Sequence, residues 1–151
     1  MSKLEQFIKT FPWVHNENIP FTKLKKDLSA CKIGLISTGG LYVKTDTPFA
    51  IVGRDDVDES YREIPLQTDI GHLRIAHEHF NKAFADEDIN VIFPILRLME
   101  LVEEGFIGTL ADINYSISGY IPKPERLYAS GEAISDALVA QGVDVALLVP
   151  V

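Results

Sequence analysis

Cysteine is nearly missing from this 151-residue chain, Cys31 being alone. That excludes an internal disulfide and any metal cluster built on several thiolates within these residues. Also missing is a run of about 18 consecutive apolar residues, the length a membrane-spanning helix requires. The N-terminal MSKLEQFIKTFPW carries charges where a secretory leader has its apolar core, so a cytoplasmic protein with no membrane partner is expected. Basic residues are in deficit, 14 Lys plus Arg against 22 Asp plus Glu, giving a formal net charge of −8. This balance repels phosphate backbones and anionic bilayers, which argues against nucleic acid as a partner. The apolar share is 46% and the charged share 24%, ordinary for a folded domain and sufficient for one sizeable core.

Residues 1–30 read as an arm, with a helix that places Leu4, Phe7, Ile8 and Phe11 on one stripe and ends before Pro12. Residues 31–151 read as an α/β domain. CKIGLIS (31–37) is a buried first strand, and Thr38-Gly39-Gly40 is the turn that ends it. Residues 41–70, with Pro48, Gly53, Pro65 and the acidic RDDVDES, read as a long functional loop. HLRIAH (72–77) alternates as a strand does, and INVIF (89–93) is apolar and β-branched enough for another. Pro94 suits the first turn of a helix whose stripe is Ile95, Leu98, Met99 and Val102, with Gly105 as its cap. INYSIS (113–118) is a further strand, a helix is expected from about Glu125 to Gln141 with Gly142 as its stop, and VDVALLV closes the chain as a strand. Alternating strands and helices imply a mostly parallel sheet flanked by helices, doubly wound and Rossmann-like. In such sheets, ligands bind at the carboxyl ends of the strands.

Several stretches at those ends carry candidate chemistry. Thr38, Gly39 and Gly40 either present backbone amides to an anion or simply form a tight turn, since G-x-G-x-x-G is lacking. His77 and His79 in HEHF share one face of a continuing strand. They suit general acid and base work, because histidine exchanges a proton near neutral pH, or hydrogen bonding at a strand end. As a metal site they lack a third ligand. In SYREIP, Arg62 offers a planar fork for a substrate carboxylate or is an ion-paired surface residue, with Tyr61 and Glu63 beside it. Cys31 stands at the opposite edge and reads as a buried thiol. A non-catalytic α/β module that binds small anions, or serves assembly, is the alternative to an enzyme.

SYREIP, DINVIFPILRLMELVEEGFIG and GVDVALLVPV, together with STGGLYVKTDTPF and IAH, stand in an order and at distances that resemble the selenoprotein B subunits of glycine, sarcosine, betaine and D-proline reductases. The resemblance covers most of residues 31–151. It implies a reductase that cleaves a C–N bond reductively, with a small amine or amino-acid substrate activated on a pyruvoyl group of a partner subunit. The cofactor would therefore lie outside this chain. In that family the strand resembling ALLVPV leads into a selenocysteine, so the resemblance implies a nucleophile at position 152 and a 151-residue form that is inactive. A selenolate is a soft anionic nucleophile at neutral pH, and at a strand's carboxyl end before a helix it would be stabilised by backbone amides. His77, Arg62 and Glu63 are the catalytic candidates within the matched stretches, and Thr38, Gly39, Gly40, His79 and Tyr61 the substrate-binding ones. A chain truncated there would leave an apolar patch exposed, through which a homodimer is expected.

Overall fold

In the computed structural model, residues 2–11, 17, 19–20, 22–50, 58–77 and 80–151 are described. Helix α1 (Lys3–Thr10) starts with a capping box: Ser2 Oγ accepts the Glu5 N–H (3.2 Å) and Glu5 Oε2 accepts the Ser2 N–H (2.6 Å). It buries none of its residues, and Leu4 and Phe7 of its apolar stripe are exposed. Pro12 lies outside the described residues.

Strand β1 (Lys32–Ser37) is the centre of the domain. It leads through Thr38-Gly39-Gly40 into β2 (Leu41–Val43). Next come β3 (Tyr61–Pro65), β4 (Leu73–Ile75), the short helix α2 (Ala83–Glu87) and α3 (Ile95–Glu103). The chain continues with β5 (Thr109–Leu110), β6 (Ile113–Ile117), α4 (Tyr128–Ala140) and β7 (Val145–Val149). β7 pairs in parallel with β1 from Ile33↔Val145 to Ser37↔Val149 and so occupies one whole edge. β5 and β6 share the other edge, also in parallel, at Ile33↔Leu110 and Ser37↔Ser116. β3 pairs antiparallel with β6, which makes the sheet mixed although mostly parallel.

β1 alternates between two packed faces. Ile33 and Leu35 belong to a core with Ile95 and Leu98 of α3 and Leu110 of β5, while Ile36 packs on Ile134 and Leu138 of α4. Gly34 lets α4 come close, because a Cβ at that position would lie 2.7 Å from Leu138 Cδ2. The expected α/β class with helices on both faces is therefore the observed one.

Four expectations change. Residues 41–70 are not one irregular loop, since they carry β2 and β3. Pro65 concealed β3, yet a proline is tolerated on an edge strand paired on one side only. The strand expected over 72–77 is limited to Leu73–Ile75 and belongs to a separate antiparallel ribbon with β2. Residues 89–93 form no strand. The Asp88 carboxylate accepts the Asn90 N–H (2.9 Å) and closes a single 3₁₀ turn over Ile89–Val91, and Asn90 Oδ1 accepts the Leu96 N–H (3.1 Å) at the start of α3. A local side-chain bond here outcompetes the β propensity of the run. The last helix begins at Tyr128, after a 3₁₀ turn over Pro124–Leu127.

Between β5 and β6 the backbone bulges away from β1, and Asn114 fills the gap. Its Oδ1 accepts the Leu35 N–H (2.9 Å) and its Nδ2 donates to the Ala111 carbonyl (3.3 Å), with only 1% of the residue exposed. An apolar replacement would leave two buried backbone groups unsatisfied. Asn114→Ala is therefore expected to cost about 3 kcal/mol in urea unfolding, and an unchanged midpoint would contradict this reading of the bulge.

Candidate functional site

β1, β6 and β7 end together at Ser37, Ile117 and Val149, and the turn after β1 ties the three ends to one another. The Thr38 N–H donates to the Val149 carbonyl (3.0 Å) and the Gly40 N–H to the Ile117 carbonyl (3.0 Å). The Gly39 N–H donates to Ser37 Oγ (3.0 Å), whose own hydroxyl donates to the Ile92 carbonyl (2.7 Å). All three turn amides are thus engaged inside the protein, and the turn presents none of them to an anion. Gly40 is fixed by conformation and by space: its φ is +63°, and a Cβ there would overlap the Ala76 carbonyl.

The β2–β4 ribbon delivers His77 to this edge. The Ala76 N–H donates to the Gly40 carbonyl (2.9 Å), extending the ribbon by one rung and setting His77 next to the turn. The imidazole is 4% exposed and stands edge-on to Phe80 at 4.9 Å between ring centroids. Gly119, two residues past β6, leaves it room. A Cβ on Gly119 would overlap His77 Nε2 and come within 2.5 Å of the Thr38 carbonyl oxygen. Val151 reaches the same place, its N–H donating to Thr38 Oγ1 at 2.8 Å.

Of the candidate residues, Thr38, Gly39, Gly40 and His77 come together, and the structure adds Gly119 and Val151. In the sequence Gly119 directly follows the strand expected over 113–118. The signal for it was a glycine directly after an alternating strand at a carboxyl edge, where a close approach by another residue calls for a missing side chain. His79 lies outside the described residues. Among those described, no cluster of three or more His, Cys, Asp or Glu is disposed to hold a metal ion.

Arg62, Glu63 and Tyr61 sit on β3, separated from β7 by β6 and β1. The Arg62 guanidinium clasps the preceding loop. Its Nε donates to the Thr47 carbonyl (2.6 Å), and its two terminal nitrogens donate to Ser60 Oγ (2.7 Å), the Tyr61 carbonyl (2.9 Å), the Pro48 carbonyl (3.1 Å) and the Asp58 carboxylate (3.2 Å). The Phe49 ring lies beneath at 4.3 Å. With five N–H groups and five protein acceptors, the fork has no donor left for a substrate carboxylate. Tyr61 pairs opposite Ile117, and its ring turns edge-on to Tyr115 at 5.8 Å between centroids. Glu63 is exposed opposite Tyr115; burial first, and then the Glu63 charge, push the Tyr115 phenol above its ordinary pKa.

Residues 2–150 match the model of the family described as glycine/sarcosine/betaine reductase selenoprotein B. The chain is 30% identical over 129 residues to the D-proline reductase subunit gamma of Acetoanaerobium sticklandii, covering 85% of this chain and 52% of that protein. It is 27% identical to the glycine reductase complex component B subunit gamma of Carboxydothermus hydrogenoformans, over 97% of this chain and 34% of the relative. To the sarcosine reductase complex component B subunit beta of Peptoclostridium acidaminophilum it is 25% identical, over 95% and 33%. It thus spans about half the length of the first of these relatives and a third of the other two. No solved structure matches.

The Asp58 clasp has a pH signature. Burial alone would raise this carboxyl, but the hydrogen bond from the Ser60 hydroxyl, those from the Ala50 (2.9 Å) and Ser60 (3.0 Å) amides, and the Arg62 charge outweigh it and hold the group below its ordinary 3.8. A pKa lower in the folded than in the unfolded state gives stability that is complete above 3.8 and lost as pH falls through the folded-state value. Asp58→Asn is expected to be less stable than the parent by about 1 kcal/mol at neutral pH in chemical unfolding. The gap should close on acidification below that ordinary value, and a gap independent of pH would contradict the assignment.

Proposed function

The chain belongs to the glycine/sarcosine/betaine reductase selenoprotein B family, and from that premise we propose that it forms the part of a reductase subunit that leads up to the reactive residue. In this reading the chemistry is reductive cleavage of a C–N bond in a small amine or amino acid, with a selenocysteine following Val151 and a partner subunit carrying the pyruvoyl group. The single observation that carries the proposal is the hydrogen bond from the Val151 N–H to Thr38 Oγ1 at 2.8 Å. It brings Val151, the residue next after the matched 2–150, to the edge where Gly39, Gly40 and His77 converge. The names of the relatives as components of reductase complexes support a partner subunit.

The roles of this chain's own residues derive from their placement. Thr38, Gly39 and Gly40 hold three strand ends in register, so the edge is preorganised before any ligand arrives. A selenocysteine there would supply a soft nucleophile that displaces the amine, forming a C–Se bond as the C–N bond breaks, and a two-electron thiol reductant from outside this chain would then release the product and restore the selenolate. His77, buried at that edge, is the group placed to deliver a proton to the departing nitrogen. Arg62 has a structural part only, holding the loop before β3.

The coding DNA tests the proposal directly. The codon after that of Val151 is expected to be TGA, followed by an open frame. A TAA at that position, or a frame closed beyond it, overturns the reading. In the protein produced through such a TGA, His77→Gln is expected to lower turnover by about 10²-fold with little effect on folding, and undiminished turnover would remove His77 from the proton path.

A further inference from the structure

A parallel ladder between β1 and β7 repeats a fixed pattern, and at Thr38 that pattern changes. The Thr38 N–H keeps its rung to the Val149 carbonyl (3.0 Å). The next rung in a regular parallel pair would run from the Val151 N–H to the Thr38 carbonyl. That carbonyl instead faces Gly119, 2.5 Å from where a Cβ on Gly119 would lie. The Val151 N–H is taken by the Thr38 side chain, with Oγ1 at 2.8 Å. Backbone and hydroxyl of one residue therefore grip the outgoing chain at two points, on either side of Pro150, which has no N–H of its own to offer.

From this geometry we infer that Thr38 is a positioning residue: its hydroxyl supplies the last rung between β1 and β7 and so fixes the direction in which the chain leaves the sheet beside His77. The inference deepens the reading proposed above and rests on it for the identity of residue 152, but the grip itself is a property of these residues. β7 is an edge strand paired with β1 alone among the described residues, and its Leu148 is 66% exposed. Val149 and Val151 are partly buried against the core on one face of the strand, and past the last backbone rung the hydrogen bond at Val151 sets which way its backbone points. Valine has the shape of threonine and cannot accept the bond, whereas serine keeps the acceptor.

The test uses two readouts on the 151-residue chain and on the same chain with one cysteine appended after Val151. Amide hydrogen exchange at Val151 is expected to be about fivefold faster in Thr38→Val than in the parent, and near the parent rate in Thr38→Ser. In the appended chain, the rate of iodoacetamide alkylation against pH is expected to shift in Thr38→Val, return in Thr38→Ser, and shift also in His77→Gln. Exchange at Val151 unaffected by Thr38→Val would overturn the grip. Faster exchange with an alkylation profile identical across the Thr38 variants would overturn the positioning role. Alkylation that responds to Thr38 but ignores His77 would sustain the positioning role and count against the proposed function instead.

Discussion

The interaction on which the rest depends is the pairing of β1 along both of its edges. Ile33 to Ser37 lie against Val145 to Val149 on one side and against β5 and β6 on the other. A strand enclosed in this way can leave no amide without a partner, because burial of an unsatisfied N–H costs more than most single contacts contribute. Where the neighbouring backbone does not supply a rung, a side chain does. Asp144 accepts the Lys32 N–H (2.8 Å), Asn114 accepts that of Leu35 (2.9 Å), and Thr38 completes the pattern by accepting from Val151 (2.8 Å). These polar residues set the register of the sheet as firmly as the apolar core does.

The site is a consequence of that enclosure. Three strands that start at different points in the sequence are brought to a common end, where the Thr38 and Gly40 amides hold them while that of Gly39 turns back to Ser37 Oγ. The result is a stiff rim, with no loop open to an anion. Onto this rim the small β2–β4 ribbon lays His77, in a space that exists only because Gly119 has no side chain. The two sides of the rim thus arrive by independent routes, one through the parallel sheet and one through an antiparallel ribbon that packs beside it.

Much of this was legible in the sequence. The apolar run before Thr38, the stripe of α3, the glycine stops at Gly105 and Gly142, and the alternation of INYSIS each correspond to the observed element, and both glycines adopt positive φ (72°). That the turn and His77 meet at one edge of the sheet was legible because both follow expected strand ends. The rest was hidden for identifiable reasons. The Asx turn at Asp88 converted a β-branched run into the approach to α3, which periodicity cannot register. Arg62 looked available because a sequence shows the guanidinium and not the carbonyls of Thr47, Pro48 and Tyr61 that occupy it. Gly119 was invisible as a site residue because its contribution is an absent atom.

The central claim is that the reactive residue comes after Val151 at this rim. Intact-mass and elemental analysis of the protein made from its own gene in its native selenium-fed host tests this most directly. The account predicts a product heavier than the 16.8 kDa of these 151 residues, carrying one selenium per chain. A selenium-free product of 16.8 kDa that supports reductase turnover would contradict it.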